Sequence, residues 1–332
     1  MNAAACLATG GTALRPRYVA ARDPRTLLGP DTLAVFGFGD AAPRTLDDPR
    51  YLHVALQPLQ DVAPFEVWHA ASPVQPWRAG ALAGATSAEL EFGWIECAET
   101  DGIAAAAEQA YRAIVTRLGN ARMPHLLRMW NYFDAITAGE GDAERYRQFC
   151  VGRVAGLRDY AHPFPAGTAI GRRDGRRTLQ VYWLAARDPG QPLENPRQVP
   201  AWDYPRQYGP RPPSFARAML GPAELRLPLM LSGTAAVVGH ASHHPDDIAA
   251  QLQESFRNFD ALLTRARGQA PALPERFGGD SLLKVYLRHA HDTASVEAQL
   301  DNQLDAAVPR LLLQAEVCRR ELLIEIDGFH GG

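Results

Sequence analysis

Apolar positions in this chain follow two periods that alternate along its length. Short apolar or alternating runs, the pattern of strands, cover residues 90–97, 126–133 and 167–184, and again 227–238, 282–287 and 310–327. Between them the period lengthens to that of an amphipathic helix, over 103–118 and 143–160 in the first half and 248–263 and 295–307 in the second. Each half therefore reads strand, helix, strand, helix, strand, strand, the last two as a pair. Ile103-Ala104-Ala105 through Tyr111-Arg112 to Leu118 matches Ile248-Ala249-Ala250 through Phe256-Arg257 to Leu263 without a gap. Asp101 and Asp247 stand just ahead of these helices, where a carboxylate caps free N–H groups or meets the positive end of the dipole. The shared order predicts a duplicated α+β unit, each copy a mixed sheet with two helices on one face.

The first ~85 residues add strand-like runs at 33–38 and 51–56 between Gly- and Pro-rich connections. Residues 188–213 are rich in proline and poor in apolar residues, yet hold Trp202, Tyr204 and Tyr208. They read as a linker that also packs against or lines something. A boundary near residue 192 gives domains 1–191 and 192–332.

Composition narrows the class. The 332 residues are 46% hydrophobic and 21% charged, enough for two packed cores. A net charge of -3 gives no footing for general nucleic-acid or anionic-membrane binding. There is no run of 18 apolar residues, and the stretch from Met1 to Arg15 lacks the basic start of a signal peptide. Cys6, Cys97, Cys150 and Cys318 lie far apart with no C-x-x-C pair. A reduced, cytoplasmic setting is expected. Lys284 is the only lysine; a GC-rich genome would produce this bias, and arginine also suits a carboxylate-rich ligand, because its planar fork binds carboxylate bidentately.

The final segment, Arg310-Leu-Leu-Leu-Gln-Ala-Glu-Val-Cys-Arg-Arg-Glu-Leu-Leu-Ile-Glu325-Ile-Asp327, resembles the end of RidA/YjgF proteins, in which a carboxylate-binding arginine precedes a strand ending in a glutamate. Ser232-Gly233-Thr234 is similar to the strand end of the same proteins. Glu194-Asn195-Pro196-Arg197-Gln198, the run from Tyr204 to Arg217, and Leu231 through Ala235 to His240 resemble the chorismatases. The resemblance covers most of the chain, most strongly from about residue 125. It implies two tandem RidA-like (chorismate mutase-like) domains and an enzyme that cleaves the enolpyruvyl ether of chorismate, releasing pyruvate without a cofactor.

On that resemblance Glu325 is the general acid and Arg310 the carboxylate clamp. Tyr208, Arg217 and Arg206, on a proline-stiffened segment, and the small residues Ala235 and Cys318 are expected against substrate. An apolar strand setting raises the pKa of Glu325, as a donor near neutral pH requires. A cysteine at Cys318 resembles the branch that makes 3-hydroxybenzoate. Other branches hydrolyse chorismate to a dihydroxycyclohexadiene carboxylate or make both 3- and 4-hydroxybenzoate. More distant readings are imine deamination, as in small RidA proteins, and a non-catalytic metabolite binder. RidA proteins are trimers with sites at interfaces, so a homo-oligomer and an interface made within one duplicated chain both stay open. His240-x-x-His243-His244 and His289-x-His291-Asp292 lack the company of a known metal motif, and no metal is expected. Gly10-Gly11 and Gly278-Gly279 lack a nucleotide-loop context, and no nucleophile elbow is present.

Overall fold

A computed structural model describes residues 12–60 and 64–332. Cys6, Gly10-Gly11 and most of the stretch read for a signal peptide lie outside the described residues. Five strands come first: β1 (Leu14–Val19), β2 (Thr32–Phe38), β3 (Tyr51–Val54), β4 (Gln57–Pro58) and β5 (Phe65–Ala70). The first repeat holds β6 (Gln75–Ala79), β7 (Leu82–Thr86), β8 (Leu90–Ala98), α1 (Ile103–Gly119), β9 (His125–Asp134), α2 (Arg145–Gly156), β10 (Ala166–Arg172) and β11 (Thr178–Ala186). The second holds β12 (Gln191–Leu193), β13 (Ala218–Leu220), β14 (Leu229–Thr234), the small hairpin β15 (Val237–Val238) and β16 (Ala241–Ser242), α3 (Ile248–Arg267), β17 (Leu282–Leu287), α4 (Thr293–Gln303), β18 (Arg310–Gln314) and β19 (Ile324–His330).

The two repeats form sheets of matching order, β10-β9-β11-β8-β7-β6 and β18-β17-β19-β14-β13-β12, the second extended beyond β18 by β4. The duplicated α+β unit is therefore present, and it is larger than the hydrophobic pattern indicated, since β6 and β7 have counterparts in β12 and β13. The last two strands of each repeat are not a pair. Crossover helix α2 brings β10 in parallel beside β9, and α4 brings β18 in parallel beside β17. Parallel neighbours need such a crossover, so β9 separates β10 from β11, and β17 separates β18 from β19.

The N-terminal strands repeat this logic without helices. Their sheet runs β1-β5-β2-β3, with β2 and β3 parallel at one edge. The inner faces of all three sheets share one core, in which Phe36 and Trp68 meet Trp130 and Tyr182 of the first repeat and Phe329 of the second. Within that core Lys284 donates to Glu66 at 2.9 Å, and both are almost fully buried.

Helices α1 and α2 cover the outer face of the first repeat sheet; α3 and α4 cover that of the second. α1 buries Ile103, Ala107, Tyr111, Ile114 and Leu118, a stripe at spacings of three and four. Asp247 caps α3 by accepting from Ala250 N at 2.9 Å. α1 starts differently: Gly102, at φ 87°, occupies the N-cap, so Asp101 makes no side-chain cap. Among the described residues no helix is long and apolar enough to cross a membrane.

Candidate active site

A cavity of about 470 Å³ opens where the first repeat meets the second. Edge strand β10 and helix α2 form one wall. The ends of β14 and β19, the bend between β18 and β19, and the segment before β13 form the rest. An edge strand leaves backbone groups unpaired, and here they join the halves. Gly167 N donates to Ser232 Oγ at 2.8 Å, and Gly171 N to Glu316 O at 2.8 Å.

Glu325 is the second residue of β19, paired with Tyr286 of β17. It lines the cavity and is only 5% exposed. Its carboxylate occupies the space a side chain at position 233 would fill, so a Cβ there would push the Glu325 carboxyl out of this position. The β14–β19 ladder shifts between Leu231 and Thr234. At that irregularity Gly233 N donates to Thr168 Oγ1 at 3.0 Å instead of to the ladder. Burial pushes the Glu325 carboxyl up to about 8, reinforced by the charge of Asp327 and opposed by Arg128, Arg217 and Arg319. A carboxyl so placed holds its proton at neutral pH and can deliver it.

The first repeat has no equivalent acid. Gln180 pairs with Tyr132 as Glu325 pairs with Tyr286, and the two tyrosine hydroxyls lie 2.9 Å apart. The Gln180 amide donates to Glu96 Oε1 at 2.7 Å and His53 O at 2.9 Å, which ties it into the fold.

Four further residues singled out by sequence line the same cavity: Tyr208, Arg217, Ala235 and Cys318. Arg217 is buried and donates to Tyr204 OH at 2.7 Å and Val199 O at 3.0 Å. Nearby Glu194 is pushed up to about 7 by burial. Tyr208 OH lies 3.2 Å from His240 Nδ1, and the Arg319 guanidinium sits 4.1 Å from the centre of the Tyr208 ring. Cys318 lies in the bend after β18, not in a strand beside β19. Burial, then the Glu325 charge, pushes its thiol far above the ordinary range, so it stays a neutral thiol.

Two expectations are corrected. Arg206 does not line the cavity: it is exposed and binds Asp142 through two hydrogen bonds of 2.6 and 2.8 Å, pinning the 201–208 segment to the turn before α2. Arg310 is also elsewhere. It opens β18 opposite Leu283, three β17 positions from the partner of Glu325, and is paired with Asp301. The sequence spacing to Glu325 misled because β17 lies between the two strands, so Arg310 is at a different level of the sheet. Of the cavity arginines that sequence reading missed (Arg147, Arg153, Arg319 and Arg320), Arg153 is the one with unpartnered buried nitrogens. It lies on the buried face of α2, lines the cavity, and has Nε and Nη2 buried without a protein partner. Its cue was an arginine spaced three and four residues from Cys150 and Phe149 on an apolar stripe.

Comparison with known proteins fits this arrangement. The chain is 34% identical over 273 residues to a chorismatase of Streptomyces rapamycinicus, covering 79% of this chain and 81% of that one. The chain belongs to the chorismatase family. The family model described as "Chorismatase FkbO/Hyg5-like, N-terminal" matches residues 66–185. A 3-hydroxybenzoate synthase of Streptomyces hygroscopicus is 33% identical over 234 residues, covering 67% of this chain and 68% of that protein. The crystal structure of a chorismatase superposes with a TM-score of 0.84 at 30% identity, over 96% of this chain and 98% of that one. As a chorismatase, the chain is an enzyme, and its fold matches that of the solved chorismatase.

Proposed function

We propose that this chorismatase cleaves the enolpyruvyl ether of chorismate and releases pyruvate and 3-hydroxybenzoate, with Glu325 as general acid. The observation that carries the reading is a buried carboxyl, raised to about 8, in a cavity that Arg147, Arg153, Arg217, Arg319 and Arg320 also line, against Glu140, Glu144 and Glu321. Chorismate is a dianion. Arg153, with two buried nitrogens unpartnered, and Arg217 supply positive charge for its carboxylates. Glu325 donates its proton to the terminal methylene carbon of the enol ether, giving an oxocarbenium ion. The ring hydroxyl of chorismate gives up its proton and captures that ion as a cyclic ketal. The bond from that oxygen to the ring and the original ether bond to the pyruvyl carbon then break. The ether oxygen takes a proton and stays on the ring as the phenol, and pyruvate leaves with the former hydroxyl oxygen. Loss of a ring proton on aromatisation balances the proton taken from Glu325, and no water is consumed. Capture by water instead would give the diene diol.

Cys318 and Ala235 support the intramolecular outcome, because both are small, weakly polar or apolar, and set against the cavity beside Glu325. They leave room for the ring to approach its own side chain, and proximity then favours internal capture. The experiment is to incubate the enzyme with chorismate, resolve the products by chromatography, and repeat with Cys318→Val. The expected result is 3-hydroxybenzoate with equimolar pyruvate, and a product ratio shifted toward the diene diol in the variant. Diene diol alone from the wild type, or an unchanged ratio in the variant, overturns the product assignment.

A further inference from the structure

Asp327 follows Glu325 by two residues on β19, so both side chains leave the same face of the strand. Unlike Glu325 it does not reach the cavity; it is fully buried beneath it. One of its oxygens, Oδ2, accepts four hydrogen bonds: Thr168 Oγ1 at 2.8 Å, Trp130 Nε1 at 3.0 Å, Tyr286 OH at 3.1 Å and Arg128 Nη2 at 3.2 Å. The other, Oδ1, is buried with no partner. A core carboxylate with one crowded and one orphaned oxygen is a costly arrangement for packing alone. Its contacts lead to the site. Thr168 lines the cavity and accepts from Gly233 N at 3.0 Å while donating to Asp327, and Gly233 is the residue packed against the Glu325 carboxyl.

We propose that Asp327 is a positioning residue of the reaction: its buried negative charge keeps the proton on Glu325 until substrate takes it, and its hold on Thr168 fixes the wall against which Glu325 sits. The proposal rests on Glu325 being the acid. The groups that face Glu325 are Asp327 on its own strand, Arg128 from β9, Arg217 from the segment before β13, Cys318 and Arg319 from the bend after β18, and Tyr146 from α2. Asp327 is the strongest charge influence among them and favours protonation; the arginines oppose it. A carboxylate at Glu325 would be a second buried negative charge on one strand face, and like charges at such range raise the pKa of the second group.

The test is the pH profile of kcat/KM in Asp327→Asn. Protonated Glu325 is the active form, so activity falls as pH rises through its pKa. Removing the Asp327 charge moves that basic limb to lower pH by about one unit, with activity recovering at the acid end. A purely structural loss lowers the profile at every pH without moving the limb. Since Asp327→Asn leaves Arg128 unbalanced, Asp327→Asn/Arg128→Met is measured beside it. That double variant leaves no unpaired core charge, and its limb still moves down, by less. A basic limb that coincides with that of wild type in whichever variants fold overturns the proposal. Failure of both variants to fold also overturns it, by making the role of Asp327 structural. Glu325→Gln is the separate control: if it stays active, the acid assignment fails; if it is inactive while the limb does not move in the Asp327 variants, only the role of Asp327 fails.

Discussion

At Glu325 function and stability pull against each other. Its folded pKa of about 8 lies above that of an exposed carboxyl. Between the two values the folded chain binds more protons than the unfolded one. Stability contributed by the protonated carboxyl is therefore complete below the unfolded pKa and is lost as pH rises through the folded value, at up to about 1.4 kcal/mol per pH unit. Glu325→Gln removes the titration. The variant is expected to lose roughly 10²–10⁴-fold in turnover while its Tm exceeds wild type by more at pH 8 than at pH 5. Steady-state kinetics and thermal melts at the two pH values check both halves. The placement of Glu325 on a buried apolar strand was legible in the sequence, and the structure sets it against the cavity. The residue that makes room for it, Gly233, was legible only as part of a motif. That the bare Cα of Gly233 leaves the Glu325 carboxyl its place follows from the approach of β19, which no local pattern encodes.

Among the secondary-structure elements, the crossovers decide which arginines serve the site. A parallel strand placed by a helix moves its first residue away from the strand that follows it in sequence, so Arg310 ends beside Asp301. Arg153 reaches the cavity because α2 lies over the junction between the halves. Arg153→Ala is expected to lower kcat/KM by about ten- to a hundred-fold, the loss of a charge-assisted contact of roughly 1.5–3 kcal/mol. Arg310→Ala is expected to stay within about twofold of wild type, since an exposed ion pair contributes about 0–1 kcal/mol. Parallel kinetics on the two variants separate these outcomes, and an inverted result would return the clamp to Arg310. The Arg206–Asp142 pair belongs to the same scale: sequence showed a rigid, charged segment, and the fold uses its charge outside the cavity to fasten it.

For the whole molecule, the N-terminal sheet completes the core. Its buried Glu66 meets Lys284 of β17 at 2.9 Å, with Tyr18 OH donating to Leu283 O at 2.9 Å alongside. Lys284→Met leaves the Glu66 charge buried and unpaired, which is expected to cost about 3–5 kcal/mol. Glu66→Gln/Lys284→Met should recover most of that loss. Denaturant unfolding of the two variants tests it; equal destabilisation would mean the pair does not couple the sheets. The arginine bias of the chain gave no hint of this one lysine's place, because its partner lies 218 residues away.

The sequence by itself determined what depends on neighbours along the chain. The two helical stripes, the Asp247 cap, the apolar strand around Glu325 and the repeated order of elements all follow from period and local chemistry. Tertiary structure decided what depends on segments brought together. It put β9 and β17 between strands adjacent in sequence, gathered β10, α2, β14 and β19 around one cavity, and buried the Glu325 carboxyl in that cavity where its counterpart Gln180 is an amide tied into the fold. Burial and charge set that difference, and both are sums over distant residues. A carboxyl acquires its raised pKa from the desolvation and the Asp327 charge that the completed junction imposes, which a linear pattern of hydrophobic and polar positions does not contain.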